Sequence, residues 1–420
     1  MTATATEVRQ TSAAPRTRRV PTQAQPPETP TQNAVSGIFD TTGNNSAVLR
    51  TAGFRLSPDD VSVPASLVRQ YGLRRGDHIA GAARAAGDSG PGRGSQPRAR
   101  AQHNVLAQVD TVNGLPAARA HDRPSFDALT PLYADDRLRL EDGSASATAR
   151  IIDLVGPIGR GQRGLIVSPP KAGKTMVLKE IAAAIALAYP AVHLMMVLVG
   201  ERPEEVTDIR RSVHGEVVFS TFDDNAKDHI LVAELAIERA KRLVELGRDV
   251  VVLLDSITRL ARAYNVVAPA SSRILAGGVA TSALQPPRKF LGAARNLEHG
   301  GSLTILSTAL IETGSRMDDV FFEEFKGTGN MELRLRRDLA EKRLYPAIDV
   351  TASGTRRDDL LMAPDEYGAV TKLRRGLSGL DAQQGLELLL ERTRDTSSNA
   401  EFLRQVQGAD TYAPAKRPLR

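Results

Sequence analysis

The segment Ser168-Pro-Pro-Lys-Ala-Gly-Lys-Thr175 is the part of this chain best suited to chemistry. It follows an apolar run at 164–168 and opens an Ala/Leu-rich stretch of helical spacing over 174–188. A strand, a tight turn and a helix N-terminus aim backbone N–H groups and the helix dipole at a phosphate. In that setting Lys174 reaches the β- and γ-phosphates of a nucleotide, and the Thr175 hydroxyl holds Mg²⁺. Ser168 stands where Gly is usual, and is small enough to be tolerated. Asp255 ends the apolar run Val250-Val-Val-Leu-Leu-Asp255. It could cap the helix that begins at Ser256 or hold the metal and its water; a phosphate loop in the same sheet favours the metal. Glu201 follows the run at 193–199, where a carboxylate at a strand's C-terminal end can orient an attacking water. Glu204 and Glu205, in the next turn, are read as partners of a positive helix N-terminus. Phosphoryl transfer also needs positive charge on the transition state. Arginines crowd the chain after 330 (Arg334, Arg336, Arg337, Arg343, Arg356, Arg357), and spacing alone does not choose among them.

The elements that must position these groups alternate from residue 151 onward. Apolar runs at 164–168, 193–199, 216–222, 250–255 and 303–310 read as strands, and 174–188, 203–213, 226–246 and 256–264 as helices. Nearly all-apolar strands alternating with helices predict a parallel sheet covered on both faces. The helix at 226–246 places Ile230, Ala233, Ile237, Ala240 and Val244 on one face, with Glu238 and Arg242 opposite. Residues 34–112 differ. Short alternating runs at 35–39, 47–50, 61–63, 78–82 and 105–112, with one short helix at 64–73, suit a five-stranded OB-type barrel. The loop at 83–104 carries Arg84, Arg93, Arg98 and Arg100 against Asp88, a basic hairpin tip. Residues 113–150 read as a connector, 151–397 as the α/β domain, and 398–420 as a C-terminal tail. Residues 1–33 are rich in Thr, Ala and Pro with almost no large apolar side chain, and are expected to be a disordered polar tail.

The chain has 420 residues, 41% hydrophobic and 25% charged, a soluble globular balance sufficient for two or three domains. Its net charge of +6 suits a polyanionic partner. With no cysteine, disulfides, thiolate–zinc sites, iron–sulfur clusters and thiol nucleophiles are excluded. No apolar leader is visible at the N-terminus. The uncharged stretch 181–200 is interrupted by Pro190 and His193 and reads as a buried helix followed by a buried strand, so a cytoplasmic protein without a membrane span is expected.

Together these motifs resemble the bacterial transcription termination factor Rho family over roughly 34–375. The segments that carry the resemblance include Pro157-Ile-Gly-Arg-Gly-Gln-Arg-Gly164, Glu201-Arg-Pro-Glu-Glu205, Leu254-Asp-Ser-Ile-Thr-Arg-Leu-Ala-Arg-Ala-Tyr-Asn265, Gly277-Gly-Val279, Glu323-Glu-Phe-Lys-Gly-Thr-Gly-Asn-Met331 and Ser353-Gly-Thr-Arg356. The resemblance implies a RecA-like P-loop ATPase core of mostly parallel sheet, preceded by a small cold-shock/OB-type β-barrel. It implies a homohexameric, RNA-dependent ATPase that moves 5′→3′ on single-stranded RNA, with ATP and Mg²⁺, and releases transcripts from RNA polymerase. By the same resemblance Lys171 and Lys174 contact phosphates, Ala172, Gly173, Thr175 and Met176 bind the nucleotide with them, Thr175 and Asp255 hold Mg²⁺, and Glu201 is the general base. Gly159, Arg160, Gly161, Gln162, Arg163 and Gly164 line the nucleotide pocket, with Arg202 and Tyr345 beside the nucleotide. Arg356 is the finger reaching a neighbouring subunit, assisted by Arg343. Two loops grip RNA: one over 268–280 with Arg273, Gly277 and Gly278, the other over 313–318 with Arg316, where Lys is common. Ala280 stands where Asp is common.

RNA contacts in the barrel are implied at Asn45, Ser46, Ala47, Val48, Leu49 and Arg50, at Asp60, Val61 and Ser62, and at Ala101, Gln102 and His103. The barrel departs from the family where Ser46, Val48, Ser62 and His103 occupy commonly aromatic positions. Residues 34–112 hold only Phe39, Phe54 and Tyr71 as aromatic residues. Each missing base stack forfeits about 1–3 kcal/mol, so weak, salt-sensitive RNA capture is expected from this domain. Two alternatives stay open: a rotary-type ATPase subunit, and a non-terminating relative acting as an RNA- or polymerase-binding regulator.

Overall fold

The computed structural model describes residues 1–2, 32–42, 46–85, 104–141 and 146–408. Asn45, Ala101, Gln102 and His103 lie outside the described residues, as do most of the expected N-terminal tail and basic hairpin tip.

Alternating residues near the N-terminus build a barrel from β1 (Gln32–Thr41), β2 (Ala47–Arg50), β3 (Val61–Val63), β4 (His78–Arg84) and β5 (Val105–Val112), with α1 (Ala65–Tyr71) between β3 and β4. The order is β3-β2-β1-β4-β5, and a β3–β5 pairing at Ser62 and Val105 closes it. Phe39, Leu49, Val61, Ile79 and Leu106 fill its interior. Gln32 and Asn33, expected in the tail, belong to β1.

The barrel docks on the second half of the chain. Gly76, at φ +88°, lies so close to the backbone of Glu238 and Arg239 that an added Cβ would come within 2.4 Å; only glycine fits there. Arg75 bridges the barrel's Asp40 (2.9 Å) and Glu234 of the core (2.9 Å).

The core sheet contains β6 (Arg163–Ser168), β7 (His193–Glu201), β8 (Glu216–Thr221), β9 (Asp249–Asp255), β10 (Ser302–Leu310) and β11 (Met331–Arg334), in the order β8-β7-β9-β10-β6-β11. Every neighbouring pair along this path is parallel. Alternate side chains of each strand enter two cores, as period-two geometry requires. Ile166, Met196 and Leu253 pack with α2 (Ala147–Val155), α3 (Lys174–Ala188) and α4 (Pro203–Ser212). Val167, Val197 and Val252 pack against α5 (Ala226–Val244), α6 (Ile257–Val266), α7 (Thr281–Gly292) and α8 (Arg316–Lys326). Helices α9 (Pro364–Leu377), α10 (Ala382–Asp395) and α11 (Asn399–Gly408) complete the first layer.

Three expectations change. The 398–420 tail is helical over α11, because Phe402, Leu403 and Val406 recur at helical spacing and bury in the core. The expected boundary at 150/151 falls inside α2. Arg242, expected on the open face of α5, is buried and paired with Glu245 at 2.9 Å.

Candidate functional site

The carboxyl ends of β6, β7 and β9 meet above the sheet, so residues distant in sequence converge there. β6 ends at Ser168, and the loop turns through Gly173 at φ +92° into α3. No side chain caps the α3 N-terminus, and Ala172 is buried. Lys171 is exposed, as is Met176. The Tyr345 ring and the Met176 methyl lie 3.6 Å and 3.7 Å from where a Cβ on Gly173 would stand. The resemblance-derived partners Lys171, Gly173, Met176 and Tyr345 therefore belong to one neighbourhood.

The Lys174 ammonium donates to Glu201 Oε1 at 2.9 Å and to both Asp255 oxygens at 2.7 Å. Both carboxylates are buried at strand ends. Burial alone would lower the Lys174 pKa, yet Asp255 and Glu201 hold it above the ordinary value. Burial, with Glu201 adding to it, pushes the Asp255 carboxyl up against the opposing pull of Lys174. Thr308 on β10 donates to Asp255 Oδ1 at 2.7 Å.

Among the described residues no group of three or more His, Cys, Asp or Glu side chains could hold a metal ion. A buried strand-end carboxylate beside a helix-opening hydroxyl suits Mg²⁺, which keeps waters and phosphate oxygens as most of its ligands. Asp255 and Thr175 fit that role.

Sequence reasoning missed a polar row on α6, although its segment was in view. Arg259, Arg262 and Asn265 recur every three residues, and that spacing on the helix leaving Asp255 was the available signal. Arg259 donates to Gly200 O and stands 3.4 Å from Glu201 Oε2. Arg262 clasps buried Asp318 (2.8 and 2.5 Å), which also accepts from Thr313 at 2.5 Å. Asn265 donates to Gly278 O at 3.1 Å and accepts from Ala280 N at 2.7 Å. Gly277 lies against the Arg316–Met317 backbone, where a Cβ would meet Arg316 O at 2.8 Å. The two loops therefore touch each other, with Arg273 and Arg316 exposed on them.

Several expected site residues sit elsewhere. Gly159, Arg160, Gly161, Gln162, Arg163 and Gly164 lie at the opposite end of β6 from the phosphate loop, about 17 Å away for a six-residue strand. They do not line the pocket of their own chain. Gly161 packs on the Arg295–Asn296 backbone, Gln162 bonds Asn330 at 2.7 Å, and Arg160 bridges Asp136 and Asp249. Arg356 is exposed at that same remote end, its N–H bonded to Asn330 O at 2.8 Å. Arg343 is exposed two residues before Tyr345, toward the phosphate-loop end, so one chain does not bring the two arginines together. Arg202 is exposed at the N-cap of α4, where Glu204 and Glu205 occupy the first turn.

In the barrel, Val48 and Ser62 are direct cross-strand partners, and Ser46 shares their face two residues earlier. Ala47 is half-buried. Leu49 and Val61 point into the barrel and cannot touch RNA. Arg50 and Asp60 are also withdrawn: buried Arg50 binds Asp60 at 2.6 Å and Asp40 at 2.7 Å. A buried charge is kept only when it is paired, and these pairs leave none for phosphate.

A phosphate loop at the carboxyl end of an interior parallel strand, two strand-end carboxylates and a closed N-terminal barrel define a RecA-like P-loop ATPase core joined to an OB-type domain. The model of the "ATP synthase alpha/beta family, nucleotide-binding domain" matches residues 148–355, and that of the "Rho termination factor, RNA-binding domain" matches residues 35–118. Transcription termination factor Rho of Streptosporangium roseum is 56% identical over 395 residues, covering 93% of this chain and 98% of that protein. The Rho proteins of Streptomyces lividans and Micrococcus luteus are 60% and 61% identical over 373 residues, 89% of this chain. This chain spans about half the length of those two relatives, 52% and 54%. A solved ATPase from the type III secretion system of pathogenic bacteria shares the fold, with a TM-score of 0.56 at 23% identity over 67% of this chain and 87% of that one. The chain belongs to the transcription termination factor Rho family.

Proposed function

We propose that this protein hydrolyses ATP to pull single-stranded RNA 5′→3′ through a homohexameric ring, terminating transcription by freeing the transcript from RNA polymerase. One observation carries the reading: α6 links the carboxylate end of the ATP site to both Arg-bearing loops. Its residues bond Glu201's strand end, the Arg316 loop through Asp318, and the Gly277–Gly278 loop in turn. A shift in the Arg259–Glu201 contact during turnover has a rigid path to the RNA grip.

In this mechanism Lys174 leaves its two carboxylates for the β- and γ-phosphates when nucleotide arrives. That frees Glu201 to accept a hydrogen bond from the attacking water. Asp255 and Thr175 would hold Mg²⁺, which would supply positive charge to the phosphates. Arg356, remote from its own phosphate loop, serves the site of an adjacent protomer, with Arg343 assisting. Arg273 and Arg316 hold phosphates without reading bases.

The barrel's bare outer face favours a second reading, a regulator that binds RNA or polymerase without terminating. ATP turnover by the purified chain, with and without poly-C RNA, separates the two. Strong RNA stimulation supports the translocase; RNA-independent or absent hydrolysis supports the regulator.

A further inference from the structure

A groove of about 740 Å³ lies away from the chain's own phosphate loop, between the segment that follows the barrel and the C-terminal end of α7. Lys241, Arg288, Lys289 and Arg295 line it, against a single acid, Asp127. Two of these cations have half-buried carboxylate partners, Lys241 with Glu238 at 2.7 Å and Arg288 with Glu324 at 3.1 Å, and the Arg288 pair, the more open of the two, is weak. Lys289 is exposed. Arg163 adds charge from beneath: it donates to Thr328 O at 3.1 Å and Ala294 O at 3.3 Å, beside Arg295. Burial, then repulsion from Arg295 and Arg356, lowers its pKa, the mark of cations gathered without an anion between them.

We propose that this groove is a relay site for the phosphates of single-stranded RNA passing between the barrel and the two loops, a step that rests on the translocase reading above. Location supports it. Both α7 and α8 begin at the loops, at Thr281 and Arg316, and end at the groove, near Gly292 and Thr328. Helices of that length span about 17 Å. The other wall is Phe126, from the segment joining barrel to core, its N–H bonded to Glu245 at 2.8 Å. The chemistry selects phosphate over base. The Phe126 ring already carries Arg295 at 4.6 Å and Lys241 at 5.7 Å, so it is no stacking platform.

The test uses the full chain with Arg288→Glu and Lys289→Glu together, and cytidine oligoribonucleotides of two lengths, one confined to the loops and one reaching the barrel. Expected are unchanged RNA-free ATP turnover and assembly, and unchanged stimulation by the short oligomer. The half-stimulating concentration of the long oligomer should rise at least about tenfold, and its salt slope should fall by about 1.4 for two lost phosphate contacts on a single strand. Equal stimulation of variant and wild type by the long oligomer overturns the proposal. So does equal loss with both oligomers together with failure to assemble, which would make the groove a contact between protomers. If RNA does not stimulate the wild type, the translocase reading itself has failed.

Discussion

Restoring aromatic rings to the outer face of the barrel should convert weak RNA capture into tight capture. Phe39 and Phe54 are buried, and Tyr71 sits on α1, so no ring among the described residues stands on the β2–β3 face. Ser46 is exposed, and Ser62 pairs with Val48 across the strands, which places both serines on that face. The double variant Ser46→Tyr, Ser62→Phe adds two platforms without disturbing Leu49 or Val61 inside. At about 1–3 kcal/mol per stacked base, two rings strengthen binding by roughly 30-fold at the least. Filter binding of labelled oligo-C to the full chain, without nucleotide and over a salt series, measures this. The affinity should rise while the salt slope stays constant, because stacking adds no phosphate contact. Tight, pyrimidine-selective binding by the unaltered chain, or no gain in the variant, would refute the reasoning.

Glu201→Gln should lower ATP turnover by about 10²–10⁴ while a fluorescent nucleotide still binds, since only the base is lost; steady-state turnover beside a binding titration checks both parts. Asp40→Ala leaves buried Arg50 with one partner fewer and cuts the Arg75 bridge to Glu234, so a loss of about 3–5 kcal/mol is expected in denaturant titration. Burial pushes the Glu366 carboxyl up, but Arg139 and Arg137, at 2.8 and 2.7 Å, more than offset it and hold it below the unfolded value of 4.5. Its stabilisation is therefore present above that value and lost as pH falls through the folded pKa. Glu366→Gln should lower Tm near neutrality, and the difference should shrink in acid.

Local pattern alone located the phosphate loop, the strand-end acids and the strands of both parts, because period-two apolar runs and a loop between strand and helix are properties of neighbouring residues. The missing rings came instead from the family resemblance, and the structure then paired Val48 with Ser62 on one face. Only the tertiary structure decided which charges are available. Arg50 and Asp60 were implied RNA contacts until Asp40, from another strand, enclosed Arg50. The glycines at 159, 161 and 164 were placed in the nucleotide pocket by the resemblance, until the direction of β6 carried them away from its catalytic end. The α6 row and the cationic groove draw on segments far apart in the chain, and such distances are set by helix packing and sheet order, which no local period encodes.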